Sequence, residues 1–406
     1  MSKLYLFITP TLRTMGGSIL YVSAKSKQLR EDGWVVSALT IDDYLWNDMS
    51  QPIIDDVEFS FYELEYDPVS YRRKRCERVC QKVVDYINQF DYCVLESHFP
   101  TAAKWGELIA SKTNAKHIVY LINERYKRPS KRDIDFYEFK LARRELTCIQ
   151  RKGLEEAMGG GGAASLVEPV EILNAFGASD CVANVEFDDS QVREAELCDL
   201  KLGSLGRLDK GYIPEMVDSL VRYASQNSDL SISICIVGDT KDPKRASYIA
   251  NSLNRCKNVS YFMLGVLSPV PEKLIQTWDI AIASAGAACA LAEHGVPTVK
   301  YSADGQPMGI IGSIGNTDGL FLAEGNRGYS LEFLLDSVRL GNAEAKDGLS
   351  GSDYSIDYSQ HMAFIDKSSS KEEYYDVMRG FADRLPRACF AILCHSIRPL
   401  RNKGII

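Results

Sequence analysis

The residues best suited to chemistry are two cations in a glycine-containing loop that follows an apolar strand. Arg207 and Lys210 stand in the segment 206–211, GRLDKG, directly after the strand-like run 202–205. Pro214 lies where the first turn of the next helix is predicted, and a helix start presents unpaired N–H groups with partial positive charge. Two cations beside such a start predict an anion site, best suited to a diphosphate. The alternative is that both side chains are solvated loop charges.

A second glycine loop holds the corresponding place near the beginning of the chain. Gly16 and Gly17 stand between a predicted strand at 4–8 and a predicted helix over 19–29. Ligands of open α/β sheets bind outside the carboxyl ends of the strands, and both loops occupy that position in their own half. The pair lacks the three-glycine dinucleotide fingerprint, so a simple tight turn is the alternative.

The elements around these loops alternate between strand and helix in both halves. Strands are predicted at 4–8, 35–39, 92–95 and 117–122, then at 202–205, 232–237, 259–263, 280–283 and 298–301. Such alternation predicts an α/β protein with two doubly wound, Rossmann-like domains facing across a cleft. We place the domains at 1–190 and 191–373, because the polar stretch around 180–200 has little periodicity. A C-terminal helix is predicted over 374–406, broken or kinked at Pro386.

Composition limits the class of protein. The chain has 406 residues, of which 47 are basic and 55 acidic, for a formal net charge of −8. Two domains are expected, because single cores stop growing near roughly 250 to 300 residues. The acidic balance argues against a nucleic-acid partner. No apolar run approaches the ~20 residues of a membrane span, and the first residues show no secretory signal, so we expect a cytoplasmic location.

Cysteine and histidine spacing gives no metal or disulfide pattern. The eleven cysteines contain no Cys-x-x-Cys pair, and the five histidines contain no His-x-x-x-His pair. This usage is typical of reduced thiols in a cytosolic protein. A structural zinc site has no support, and no metal is expected.

Several motifs occur in one order along most of the chain to about residue 300. They are Gly16-Gly17, EILNA at 171–175, GRLDK at 206–210, IVGD at 236–239, LGV at 264–266 and GVP at 295–297. Together they resemble the GT-B glycosyltransferases, particularly the retaining glycosyltransferase family 4. The resemblance implies a nucleotide-diphosphate sugar as donor substrate, with no separate cofactor. It also implies that 1–190 binds the acceptor, that 191–373 binds the nucleotide sugar, and that 374–406 returns to the first domain.

The resemblance assigns the donor site residue by residue. Arg207 and Lys210 match the cations that hold the diphosphate, and Gly16 and Gly17 match a loop that approaches donor and acceptor. Gly265 and Val266 match a segment that lies against the nucleotide base.

One family feature is missing. The family's paired glutamates fall on Ile282 and Ala290, which cannot carry charge, although Glu293 lies close by. The backbone around Ser284, Gly286 and Ala287 could still offer N–H groups to phosphate. The alternative is a plain core helix, which the run of alanines favours.

Candidates for acceptor contact or proton transfer follow strands of the first half. His98 matches a family histidine, and a second family histidine falls on Asn123, which Glu124 follows. A carboxylate or an imidazole in such a place can act as a general acid or base. The alternatives are a structural role for His98 and surface pairing of Glu124 with neighbouring cations.

Basic residues are segregated despite the negative net charge. One cluster lies at 72–78, a second at 125–132, and the tail from Arg384 has five basic residues and no acidic one. Such clusters could contact an anionic membrane at its inner face or a lipid-diphosphate acceptor. A solvated helix face is the alternative for each cluster.

These features predict a hexosyltransferase-like enzyme. It would move a sugar from a nucleotide-diphosphate sugar to a carbohydrate or lipid-linked acceptor, and the resemblance implies a setting in bacterial cell-surface polysaccharide biosynthesis. The missing glutamates leave three alternatives: an inverting transferase, a sugar-nucleotide epimerase of the same fold, and a non-catalytic GT-B-like subunit.

Overall fold

The chain forms two compact units, and each is described by itself. A computed structural model describes residues 1–10, 17–41, 58–122, 126, 129–149, 151–160, 170–173, 181–188, 190, 192–240, 242–267, 269–302, 305–311, 329–341, 357–368 and 373–379. Unit 1 comprises Met1–Thr14, Lys25–Leu173 and Asp357–Ile406, and unit 2 comprises Met15–Ala24 and Asn174–Ile356.

Unit 1 contains a parallel six-stranded sheet. Its strands are β1 (Lys3–Ile8), β2 (Val35–Thr40), β3 (Glu58–Ser60), β4 (Tyr92–Ser97), β5 (Lys116–Leu121) and β6 (Leu146–Cys148). They lie in the order β3-β2-β1-β4-β5-β6, with every neighbouring pair parallel. Strands β1, β2, β4 and β5 are buried at every residue but the first, which explains their almost continuous apolar sequences.

Helices follow the strands of this sheet. They are α1 (Gly17–Glu31), α2 (Arg73–Ile87), α3 (Pro100–Ala110), α4 (Lys131–Ala142) and α5 (Arg151–Ala157). Their starts reflect local sequence: Pro100 lies in the first turn of α3, and Ser130 with Asp133 forms a capping box on α4. Helix α1 is divided between the units, with Lys25 onward in unit 1.

Unit 2 repeats this topology. Its strands are β7 (Val182–Ala183), β8 (Leu200–Leu205), β9 (Ile232–Val237), β10 (Val259–Gly265), β11 (Val270–Pro271), β12 (Ile280–Ser284), β13 (Thr298–Tyr301) and β14 (Pro307–Ile311). The six-stranded sheet has the order β10-β9-β8-β12-β13-β14, antiparallel only between β13 and β14, while β7 and β11 form a separate two-stranded sheet. The helices are α6 (Ile213–Gln226), α7 (Pro243–Leu253), α8 (Glu272–Ile275), α9 (Ala285–Glu293) and α10 (Leu331–Arg339).

The α/β class and the two doubly wound sheets are confirmed, whereas the unit borders differ from the predicted domain borders. Residues 181–195 belong to unit 2, because Val182 pairs with Val270 and Val192 is buried in the core of that unit. Chain after Ile356 already belongs to unit 1, where α11 (Tyr358–Lys367) packs. The predicted helix from residue 374 is not formed over 374–379, which is turn-like, and residues 380–406 lie outside the described residues.

The short segment 373–379 is held on unit 1 by polar contacts and burial. Arg143 Nη1 donates to the Glu373 carbonyl at 2.6 Å, and the Tyr375 N–H donates to Glu107 Oε1 at 2.8 Å. Val377 and Met378 are buried in the unit 1 core. The described part of the predicted return to the first domain is therefore an irregular segment that contains a turn.

Candidate functional site

The candidate site lies where the strand order of unit 2 reverses. Strands β8 and β12 are neighbours at the centre of the sheet, while the chain proceeds outward from β8 to β9 and β10 on one side and from β12 to β13 on the other. Ligands of open α/β sheets bind at such a switch point, beyond the carboxyl ends of the strands. The loop 206–211 follows β8 and helix α9 follows β12, so both predicted anion-binding segments meet here.

Lys210 and Ser284 join these two segments. Lys210 Nζ donates to Ser284 Oγ at 2.6 Å, across 74 residues of sequence. Ser284 precedes α9, but its side chain makes no capping hydrogen bond to that helix. The first-turn N–H groups of α9 are therefore not capped by Ser284, and an ammonium group stands beside them. This combination can bind an anion.

Arg207 stands differently from Lys210. Its side chain is 49% exposed, and Nε lies 3.3 Å from Asp209 Oδ1. An exposed ion pair of this kind contributes little free energy, so the guanidinium can exchange Asp209 for another anion at small cost. Arg207 is thus available at the surface of the site, whereas Lys210 is fixed at the start of α9.

Glycines at the strand ends allow the loops to approach one another. Gly206 and Gly238 both have φ +145°. A β-carbon built on Gly238 would lie 1.9 Å from the Gly206 carbonyl oxygen, so no side chain fits at residue 238 without backbone movement. Gly238 N–H donates to the Gly265 carbonyl at 2.7 Å. Gly265 has φ +67° and ends β10, which places Gly265 and Val266 two strands away from β8.

Helix α9 is core over most of its length, as one interpretation predicts, while phosphate contact at its start remains a prediction. Residues 285–287, which include Gly286 and Ala287, are partly accessible, whereas 288–292 are buried. Ile282 and Ala290, at the positions of the family's glutamates, are fully buried in the core. Glu293 ends the helix, about 12 Å along its axis from Ala285 at a rise of ~1.5 Å per residue. Its carboxylate is therefore distant from the helix start, although Glu293 lies only three residues after Ala290.

His98 lies in unit 1, at the carboxyl end of β4, and has no exposed surface. Its Nε2 donates to Glu96 Oε1 at 2.9 Å, while Lys25 Nζ and Tyr5 Oη donate to Glu96 Oε2 at 2.6 and 2.5 Å. Burial opposes ionisation of Glu96, but Lys25 and His98 outweigh it and hold the pKa of that carboxyl well below its usual range. In this structure His98 contacts protein groups, and acceptor contact by its side chain remains a prediction.

Other predicted residues fall outside this geometry. Gly16, Asn123 and Glu124 lie outside the described residues, and Gly17 begins α1. Of the basic clusters, Arg73, Lys74, Arg75 and Arg78 are exposed on α2, and Arg132 donates to the Val377 carbonyl. No helix among the described residues is both long and apolar enough to cross a membrane. In the same residues, no three His, Cys, Asp or Glu side chains are grouped to hold a metal ion.

Sequence reasoning missed three residues of the site. It assigned no role to Tyr212 or Tyr301, nor to the close approach of two loops that Gly238 allows. Tyr212, which follows the loop 206–211, stacks on Tyr301 with ring centroids 4.9 Å apart, and its hydroxyl faces Gly206. A glycine directly after a strand was an available signal for Gly238. The stacking of two tyrosines 89 residues apart could be found only from the strand order.

Comparisons with known proteins identify the fold. No protein-family model and no curated protein matches the sequence. Similar solved structures include Anabaena HepE in complex with UDP and glucose, at 13% identity and TM-score 0.56, covering 91% of this chain and 96% of that one. A glycosyltransferase from Rickettsia africae has 13% identity and TM-score 0.58, covering 93% and 96%. A variant of S. aureus TarM in complex with Fondaparinux, alpha-GlcNAc-glycerol and UDP has 11% identity and TM-score 0.53, covering 91% and 97%. The chain therefore has the GT-B fold.

Proposed function

We propose that this GT-B chain is a glycosyltransferase that moves a sugar from a nucleotide-diphosphate sugar to a carbohydrate or lipid-linked acceptor. The observation that carries the proposal is the 2.6 Å hydrogen bond from Lys210 to Ser284, which sets an ammonium group at the start of α9. The proposed setting is bacterial cell-surface polysaccharide synthesis, which rests on the sequence resemblance. The proposed location, in the cytoplasm or at the inner face of the membrane, rests on the cysteine usage and the basic clusters of the sequence.

The chemistry of transfer fits this arrangement. Negative charge develops on the leaving nucleoside diphosphate as the bond between sugar and phosphate breaks. Fixed cations and helix N–H groups stabilise such charge, because they are oriented before the reaction begins. Lys210 and the first turn of α9 would meet the diphosphate, and Arg207 would reach it from the exposed side. Gly265 and Val266 would lie towards the base.

The structural relatives suggest which donor to test first. The HepE structures contain UDP with glucose and UDP-glucose, and the TarM structure contains UDP. UDP and UDP-glucose are therefore the first probes for the full chain, followed by other nucleoside diphosphates.

Calorimetry on two variants tests the site. We expect Lys210→Ala to weaken UDP binding tenfold or more, because it removes a charged hydrogen bond of ~1.5 to 3 kcal/mol. Arg207→Ala should weaken binding less, since that side chain is half exposed. Lys201→Ala is the matched control, because Lys201 lies at the opposite end of β8 and pairs with Asp279 at 3.4 Å. UDP affinity unchanged in both test variants would refute the site.

Burial of Ile282 and Ala290 favours a second candidate, a non-catalytic subunit that binds the nucleotide sugar. Incubation of UDP-glucose with acceptors separates the possibilities. UDP release that depends on an acceptor supports the transferase. Binding without release or sugar interconversion supports the subunit, and interconversion without an acceptor supports an epimerase.

A further inference from the structure

The hydroxyl of Tyr212 is a buried polar group beside the proposed diphosphate site. Tyr212 immediately precedes α6, and 2% of its surface is exposed. Its oxygen makes no hydrogen bond to any residue in the described part of the chain. Most buried hydroxyls have a partner, because an unpaired one has lost its hydrogen bond to water without replacement. This hydroxyl therefore has an unused donor.

Three neighbouring residues show where the Tyr212 hydroxyl lies in the site. A β-carbon built on Gly206 would lie 3.5 Å from Tyr212 Oη and 3.9 Å from Lys210 Nζ, so both groups face the same stretch of backbone. The Ser284 side chain lies close to Tyr212 Oη, outside hydrogen-bond geometry, while its own oxygen accepts from Lys210 Nζ. The hydroxyl, the ammonium group and the start of α9 thus converge at the end of β8.

Packing and protonation both favour a fixed donor. The Tyr212 ring stacks on the Tyr301 ring at 4.9 Å and an interplanar angle of 27°, within the core of unit 2. Burial raises the pKa of Tyr212 well above its usual range, and the adjacent Ser284 lowers it by less. The hydroxyl keeps its proton at every physiological pH and can donate but not ionise.

We infer that Tyr212 is a further donor-substrate residue, whose hydroxyl donates a hydrogen bond to the diphosphate beside Lys210. The inference rests on the proposed function, since it names an additional residue of the same site. Gly206 lacks a side chain, so an anion oxygen can approach both donors.

The sheet geometry indicates which phosphate is involved. Position 265 ends β10, and the switch point lies between β8 and β12, two to three strands away. At ~4.8 Å between strands, the separation is about 12 Å. If the base lies near Gly265 and Val266, Tyr212 contacts the phosphate farther from the nucleoside. UDP binding should then depend on Tyr212, and UMP binding should not.

Tyr212→Phe in the full chain tests this inference, because it keeps the ring stack and removes only the oxygen. We expect its Kd for UDP to rise about tenfold, as for the loss of a hydrogen bond to a charged group. Its Kd for UMP should stay within twofold of wild type. The melting temperature without ligand should not fall, since the hydroxyl has no described internal partner.

Tyr223→Phe is the matched control. Tyr223 lies on α6, and its hydroxyl donates to Asp336 Oδ1 at 2.9 Å. This variant should lose thermal stability and keep wild-type affinity for UDP.

The outcomes separate this inference from the proposed function. UDP affinity within twofold of wild type in Tyr212→Phe, equal losses for UDP and UMP, or a lowered melting temperature each overturn the role of Tyr212. In those cases weak UDP binding by Lys210→Ala would still uphold the site. If the wild-type chain binds none of UDP, ADP and GDP, the proposed function fails, and the inference fails with it.

Discussion

The two sheets share one strand order, yet the polar groups at their switch points differ. In unit 1 the carboxylate of Glu96 is enclosed by Lys25 and His98, and none of the three is more than 1% exposed. In unit 2 Lys210 donates to the Ser284 hydroxyl, and the Tyr212 hydroxyl has no hydrogen-bond partner among the described residues. The same topology thus holds a closed ion-pair cluster in one unit and a buried hydroxyl without a described partner in the other.

Backbone strain does not distinguish the switch points of the two sheets. A residue other than glycine with positive φ follows the central strand in each unit: Phe99, with φ 72°, and Ala285, with φ 51°. Such conformations cost on the order of 1 to 3 kcal/mol each. Both residues stand where a strand turns at once into a helix, α3 or α9. The strain therefore belongs to the short strand-to-helix turn, and the side chains decide whether a ligand can bind.

The largest expected effect comes from opening the closed cluster. Glu96→Gln leaves the fully buried Lys25 without its carboxylate partner. Removing one member of a buried ion pair costs about 3 to 5 kcal/mol, because the remaining charge is left without compensation. Urea denaturation at pH 7 should show a loss of that size in the free energy of unfolding.

Asp135→Asn in the same unit is the control for Glu96→Gln. Its partner Lys131 lies 3.1 Å away, and both side chains are exposed. That change should cost at most about 0.5 kcal/mol. A loss below about 1 kcal/mol in Glu96→Gln would contradict the comparison between the units, since such a value is typical of an exposed pair.

Much of the fold could be predicted because each signal is local. Apolar runs predict most strands of both sheets but not the buried β6 and β14, and Pro214 after the loop 206–211 predicts the start of α6. The contacts that define the sites are not local. Lys210 meets Ser284 only because β8 and β12 are neighbours. His98 after a strand was interpreted as a candidate acid or base, and its pairing with Glu96, two residues away, is by contrast a local contact.

The unpredicted parts have the same cause. Glu96 interrupts an apolar strand, which was a usable signal of a buried charge, but its partner Lys25 is 71 residues away. The predicted border at residue 191 lies after the observed start of unit 2. Residues 181–195 show little periodicity in sequence, although Val182 and Val192 are buried there.

The second-largest expected effect is a loss of stability at acidic pH, which comes from a buried histidine of unit 1. Burial, reinforced by the nearby Lys140, lowers the pKa of His117 to about 4, although Glu107 opposes the change. The neutral ring fits its contacts: Nδ1 donates to Glu107 Oε2 at 2.8 Å, and Nε2 accepts from Ser97 Oγ at 2.9 Å. Between pH 6.5 and 4 the unfolded chain binds a proton that the folded chain does not. Stability should therefore be complete above pH 6.5 and fall by on the order of 3 kcal/mol towards pH 4.

Urea denaturation across this pH range checks the effect. In His117→Asn the free energy of unfolding should change less steeply with pH between 6.5 and 4.5, whatever stability the variant loses at neutral pH. His294→Gln, in unit 2, should keep the wild-type slope. Below pH 4.5 both variants should still lose stability, because Lys140 and His117, against the opposing effect of burial, hold the pKa of Glu107 well below its usual range in the wild type. An unchanged slope in His117→Asn would show that another group binds the proton.

The smallest expected loss of stability comes from two glycine-to-alanine substitutions, one in each unit, which should differ in their effect on UDP binding. An alanine β-carbon at Gly106 would lie 2.3 Å from Ser97 Oγ and 2.5 Å from His117 Nε2, whereas one at Gly238 would lie 1.9 Å from the Gly206 carbonyl oxygen. Both substitutions overpack their surroundings, and each should cost about 2 kcal/mol.

Their effects on ligand binding should differ. Gly106→Ala disturbs side chains of unit 1, away from the proposed diphosphate site, so UDP affinity should be retained. Gly238→Ala displaces the backbone of the loop that carries Lys210, so calorimetry should show UDP affinity reduced by tenfold or more. Equal UDP affinity in the two variants would mean that the diphosphate does not bind at the end of β8.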